Sequence, residues 1–196
     1  MVVSFTPNIS LAKPDDTELA LNWARSTQLQ ADNNTVIKTQ TNKPLTAYTP
    51  VLTAQTTPPS MGTGFSQGEY QDWLGFVTGS FTLEFFDAGI TVGSGEYAIS
   101  LPFVADAAYH SVGTAFNATP GNFSVIGEAY FRDNSSVGAS GSGALDLVTV
   151  GGVSYVRILT EAHTTPVKTS RIFRDSMPFA VANNDKITGT FFYKKA

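Results

Sequence analysis

The chain has no cysteine. Disulfide staples, thiolate metal ligands and a cysteine nucleophile are therefore excluded. Charge is scarce too: Asp, Glu, Lys and Arg make up 14% of 196 residues, against about a quarter in an ordinary soluble domain. The net charge of −4 argues against a surface that reads nucleic-acid phosphate. The nearest approach to a basic cluster, Lys168, Arg171 and Arg174, is spread by strand alternation over different faces. No apolar run approaches the ~20 residues of a membrane span. The opening Met1-Val-Val-Ser-Phe5 has neither the basic nor the apolar segment of a secretion signal. These absences lead to the expectation of a protein made in the cytoplasm, with no membrane insertion.

What is present is apolar and aromatic. Hydrophobic residues make up 42% of the chain and aromatic ones 12%, enough for a substantial core. Helical periodicity is confined to residues 1–46. There Pro14-Asp-Asp-Thr-Glu18 has the proline and acids of a helix start, and predicts a helix from about Pro14 to Ala31. Its apolar stripe, with Leu19 and Trp23, is thin, so the helix needs a neighbour. Residues 33–44 read as a polar linker. The segment 1–46 is thus expected to be an anchor, with Leu19 and Trp23 as its contacts.

Residues 47–196 alternate between strand and turn. Gly62-Thr-Gly64 and Gly93-Ser-Gly95 each lead into alternating aromatic and apolar positions, and Gly151-Gly152 is a two-residue hairpin signal. Strands are expected at 47–54, 65–73, 74–86, 96–103, 123–132, 145–150, 153–160 and 186–193. Residues 133–143 read as a mobile Ser/Gly loop. About eight strands with some long connections predict an all-β fold, an antiparallel β-sandwich of jelly-roll type.

The chain offers little for chemistry. His110 and His163 have acids nearby in sequence, but no Gly-x-Ser-x-Gly elbow accompanies them. Sixteen acidic residues make chance carboxylate pairs easy, and no metal-binding spacing occurs. The expectation is no cofactor, no metal and no catalytic residue. The rings are more informative. In Phe85-Phe86, Tyr130-Phe131 and Phe191-Phe192, one member of each pair must leave the core or lie under a loop. Outward rings point to a homotrimer interface, with Phe86, Phe131 and Phe192 as candidates. The alternatives are a covering loop or a sugar-stacking site. Exposed binding loops are expected at 104–121 and 133–143, through Tyr109, His110, Asn134 and Ser136.

Three stretches carry a family likeness: Tyr48-Thr-Pro50 with Pro59-Ser-Met-Gly62-Thr-Gly64 and Gly68-Glu-Tyr70; Gly93-Ser-Gly95-Glu-Tyr97-Ala-Ile-Ser-Leu-Pro102; and Asn184-Asp185-Lys-Ile-Thr-Gly189-Thr-Phe-Phe-Tyr193. They resemble the small jelly-roll domains of tailed-bacteriophage fibres and virion surface proteins, broadly similar to the tumour-necrosis-factor and C1q shape. Here Trp73-Leu-Gly-Phe-Val77 departs from that pattern, and 104–180 has no counterpart in it. The resemblance implies a structural protein on the surface of a phage particle, of tail-fibre or receptor-binding type. Its partners would be itself as a homotrimer, other virion proteins through residues 1–46, and a host-surface glycan or protein. A capsid decoration (cement) protein or head fibre is the alternative, and a carbohydrate-active enzyme on a β-sandwich the more remote one.

Overall fold

A computed structural model describes residues 25–32, 43–113, 124–134, 140–162, 169–174 and 180–196. The chain divides into two compact units, Met1–Lys43 and Pro44–Ala196. Of the first, residues 25–32 are helical and exposed throughout, with Gln28 donating to Asp32 one turn on at 2.9 Å. Leu19 and Trp23 lie outside the described residues.

The second unit is built from strands: β1 (Thr46–Tyr48), β2 (Leu52–Ala54), β3 (Ser60–Met61), β4 (Phe65–Trp73), β5 (Phe76–Glu84), β6 (Ile90–Thr91), β7 (Tyr97–Ser100), β8 (Ser111–Gly113), β9 (Val125–Arg132), β10 (Ser140–Val150), β11 (Val153–Ala162), β12 (Thr169–Ile172) and β13 (Lys186–Lys194). The main sheet runs β1-β4-β5-β13-β9-β10-β11-β7-β2, with β8 on β10 and β12 on β11; β3 and β6 form a separate ribbon. The fold is all-β, as expected, and jelly-roll-like. The strands number thirteen among the described residues rather than eight, because several pairings are only two or three residues long.

The sheet must curl. β1 and β2 are its two edges, yet only Thr49-Pro50-Val51 separates them in the chain. Laid flat, eight strand spacings of about 4.8 Å would hold the edges roughly 38 Å apart. Four extended residues reach at most about 14 Å. The short link therefore closes the sheet on itself, and it is bonded to both sides. Ser66 of β4 donates its hydroxyl to the Pro50 carbonyl. The Val51 amide donates to Ser100 Oγ at 2.8 Å, and the Ser100 amide returns a bond to the Val51 carbonyl at 3.0 Å. The stretch 47–54, expected as one strand, is two. It breaks at Pro50, which cannot donate to a ladder, and its halves join opposite edges.

The inward face explains the strand glycines. Tyr48 lies opposite Gly68, Phe81 opposite Gly189, Phe191 opposite Gly79 and Phe131 opposite Gly141. A Cβ on these glycines would sit 2.3, 2.4, 2.6 and 2.6 Å from the facing ring. Each ring thus lies flat across a bare backbone, a device that lets aromatics pack side by side on one face. Gly141 and Gly143 accordingly belong to β10, so the expected mobile loop at 133–143 is a strand from residue 140 onward. Phe81, Leu83, Phe85, Ile99, Leu145, Leu147, Phe173 and Ile187 are fully buried. Phe173 meets Phe131 of β9 and Tyr97 of β7 with both centroids at 5.5 Å, joining two strands that are not neighbours in the sheet. Each such ring contributes roughly 2–3 kcal/mol of burial.

Candidate functional site

His110 follows a single 3-10 turn, Ala107–Tyr109, capped by the Asp106 side chain. Its Nδ1 lies 2.9 Å from the Asp106 carbonyl, which can only accept, so Nδ1 carries the proton. In the neutral ring Nε2 then accepts from the Thr149 hydroxyl, 2.6 Å away. Thr149 accepts from Ser154 at 2.5 Å, and Ser154 Oγ from the Ala105 amide at 2.9 Å. Both hydroxyls are buried. The histidine is half-buried and holds a loop to β10 and β11, so it is not the exposed loop residue that the sequence suggested. The Asp106 carboxylate turns away to Lys194, 2.9 Å from its Nζ. That hydrogen bond, with a second from the Ala108 amide, holds the carboxyl below its ordinary range and holds Lys194 above its own.

Two other polar clusters are structural. Asp146 and Arg157 face each other across β10 and β11, both buried, with Oδ2 at 2.5 Å from Nη2 and 3.2 Å from Nε. Asp146 Oδ1 takes the Ser124 amide at 2.9 Å where the β9–β10 register shifts. Asp185 is fully buried and accepts the amides of Asn134 at 2.8 Å and Ala182 at 2.7 Å. Asn134 is exposed, yet its side-chain amide donates to the Asn184 carbonyl, so this residue fastens a corner. Ser136 lies outside the described residues.

The outward face of β4, β5, β13 and β9 is different in kind. Its middle is a floor of short hydroxyls, with Ser80, Thr82, Thr188 and Thr190 in adjacent register. Two shallow depressions of about 450 and 390 Å³ meet at Ser80–Thr82, one reaching Glu69 and the other Glu128 and Tyr130. Beyond the floor, at the β4–β5 turn, the face becomes apolar. Trp73 pairs with Phe76 across the turn, and Phe76 stacks on Phe192 with centroids at 5.4 Å and planes 3° apart. All three are exposed, Phe192 at 55%. Leu74, at the turn tip, is 68% exposed.

The same end carries more. The Lys195 amide donates to the Gly75 carbonyl and the Ala196 amide to Val104, whose side chain is exposed. Tyr109, 62% exposed, sits under Lys194 Nζ at 5.2 Å from its centroid. Lys195 is bonded to Asp72 and lies 5.0 Å over the Phe103 ring. Six of thirteen exposed large hydrophobic residues among those described surround this end.

The expected interface residues are therefore not brought together. Phe192 is outward. Phe131 is only 5% exposed, in the core; its neighbour Tyr130 is the outward member of the pair. Phe86 is half-buried, its backbone bonded to Met61 and Thr63. It lies eight residues along the chain from Thr78, the partner of Phe192, roughly 26 Å away. The display of Trp73, Leu74 and Phe76 is not legible in the sequence, because a Leu-Gly pair does not read as a hairpin tip. No family model, curated protein or solved structure matches the chain.

Proposed function

We propose that the protein is a non-enzymatic structural and binding protein of a virus-particle surface. In this reading residues 1–46, through Leu19 and Trp23, anchor it to other virion proteins. The β-unit associates with its own copies as a trimer and displays loops to the outside. The observation that carries the reading is the concentration of exposed rings at one end of a sparsely charged β-unit. A monomer gains nothing from leaving Trp73, Phe76 and Phe192 in water, whereas an interface buries them. The placement on a phage particle rests on the resemblance of residues 47–103 and 183–196. Tyr109 is the described loop residue free enough to meet a host glycan or protein, and the hydroxyl floor beside Tyr130 is a second place for a sugar.

Analytical ultracentrifugation of the chain tests the core of this reading. A species of three chain masses is expected, and a monomer at high concentration overturns it. Binding to host cells favours the fibre role. Binding to empty capsids, with loss of capsid heat resistance when the protein is omitted, favours the cement role. New fragments released from host polysaccharide would contradict the non-enzymatic reading.

A further inference from the structure

The β4–β5 turn is built against its local chemistry. Its two central residues, Leu74 and Gly75, have φ of 51° and 83°. Both lie in the left-handed region, the type I′ geometry that Asn-Gly, Asp-Gly or Gly-Gly adopts without strain. A leucine there is a steric outlier. It gains little burial in return, because the residue is 68% exposed. Strain of this kind persists where the displayed side chain has a use. The leucine stands at the tip of a ridge formed with Trp73, Phe76 and Phe192. We propose that this ridge is the contact by which one copy of the chain packs against another, with Leu74 as its central knob.

Three observations select a second copy as the occupant, on the premise of the self-association proposed above. The ridge is convex, a hairpin tip beside a stacked pair, so it cannot enclose a small ligand as a pocket does. Its area suits the apolar centre of a larger contact. Four half-exposed large side chains present roughly 400 Å², about half of the ~800 Å² each partner gives to a standard interface. Finally, the rim is electrically quiet. Lys194 is held by Asp106 and Lys195 by Asp72, both within one chain. Identical surfaces can then meet without like charges opposed. An anionic lipid surface would instead call for unpaired lysines beside the apolar ridge.

The decisive variant is Leu74→Asn, which supplies the residue the turn prefers and removes the knob. Fold and assembly should move in opposite directions. In dilute monomer the thermal midpoint should rise about 2–4 °C. In sedimentation equilibrium the association constant should fall at least about tenfold, the size of an interface anchor. Phe192→Ser provides a second reading of assembly that does not touch the turn. If the wild-type chain associates and both variants associate equally well, the ridge is not the contact, although self-association stands. If the wild-type chain is monomeric, the self-association falls and the ridge with it. Cosedimentation of wild type, but not Leu74→Asn, with phosphatidylserine vesicles would assign the ridge to lipid and overturn the proposal.

Discussion

The strands β5 and β13 carry rings on both faces, and the two faces treat them in opposite ways. Inward, Phe81 covers Gly189 and Phe191 covers Gly79, so each ring has a bare backbone to lie on and is nearly fully buried. Outward, Phe76 and Phe192 stack on each other beside Trp73 and stay partly in water. Aromatic abundance alone therefore does not measure an interface. Phe81, Phe191 and Phe131 each have a cross-strand glycine to lie on and are stored, whereas Phe192, opposite Thr78 on the outer face, is left on show.

That contrast is easiest to break by truncation. Phe81→Ala should cost about 3–5 kcal/mol in the monomer, the usual loss for a buried phenylalanine. Phe192→Ala should cost less than about 1 kcal/mol there, as exposed sites generally do. Denaturant unfolding of dilute protein measures both. Comparable losses would mean that Phe192 supports the fold and is not held out for a partner.

A smaller effect separates two phenols of the same sheet, Tyr193 buried and Tyr48 half-buried with its hydroxyl inside. Tyr193 donates its hydroxyl to the Phe103 carbonyl at 3.0 Å and accepts the Phe103 amide at 3.1 Å. Replacing it with phenylalanine strands both groups and should cost about 1–3 kcal/mol. Burial raises the pKa of Tyr193 and of Tyr48 well above the ordinary phenol value. The unfolded chain ionises these groups from about pH 10, whereas the folded one keeps its protons. Stability from this source is thus intact below that pH and falls as pH rises above it. Urea midpoints across the alkaline range should show the decline, and Tyr193→Phe should flatten it. A midpoint that is level through pH 11 would contradict the burial of these phenols.

The two tight hairpins make the parallel comparison for turns. Gly151-Gly152 joins β10 to β11 with φ of 58° and 80°, nearly the values of Leu74-Gly75. Nothing lies within 4 Å of a Cβ added at Gly151, so only backbone strain opposes a side chain there. Gly151→Leu should cost about 1–2 kcal/mol, the left-handed penalty for a branched residue. A neutral result would remove the strain from the Leu74 argument as well.

These hairpins also show what could be read in advance. Gly151-Gly152 announced itself because glycine at both central positions has few other uses between two apolar runs. The all-β class and the ends of β4 followed from alternation, which survives wherever one face is buried. The Leu74 turn did not, since leucine in a left-handed position contradicts the local rule that a reader applies. Nor did β10 begin where expected. Ser/Gly composition resembles a loop until Phe131 is seen lying on Gly141, a contact between positions ten residues apart. One outward ring is misassigned for the same reason: alternation establishes that one ring of each pair leaves the core, but not which. Phe131 and Tyr130 were exchanged because only the facing glycine distinguishes them.

The smallest expected effect tests the storage rule at its weakest member. Tyr48 packs edge-on against Tyr70 and Phe191, with centroids at 5.9 and 6.3 Å, and covers Gly68 like the other inward rings. It differs in its hydroxyl, which is buried and has no hydrogen-bond partner. A polar group in that state carries its desolvation cost without return. Tyr48→Phe keeps the ring over the glycine and deletes the burden, so stability should be unchanged or rise by up to about 1 kcal/mol. Tyr48→Ala, in contrast, should uncover Gly68 at the closing edge of the sheet and lose several times that amount. If Tyr48→Phe instead proves clearly destabilising, the hydroxyl has a partner, such as an internal water, and the edge strand is held by a bond rather than by the ring alone.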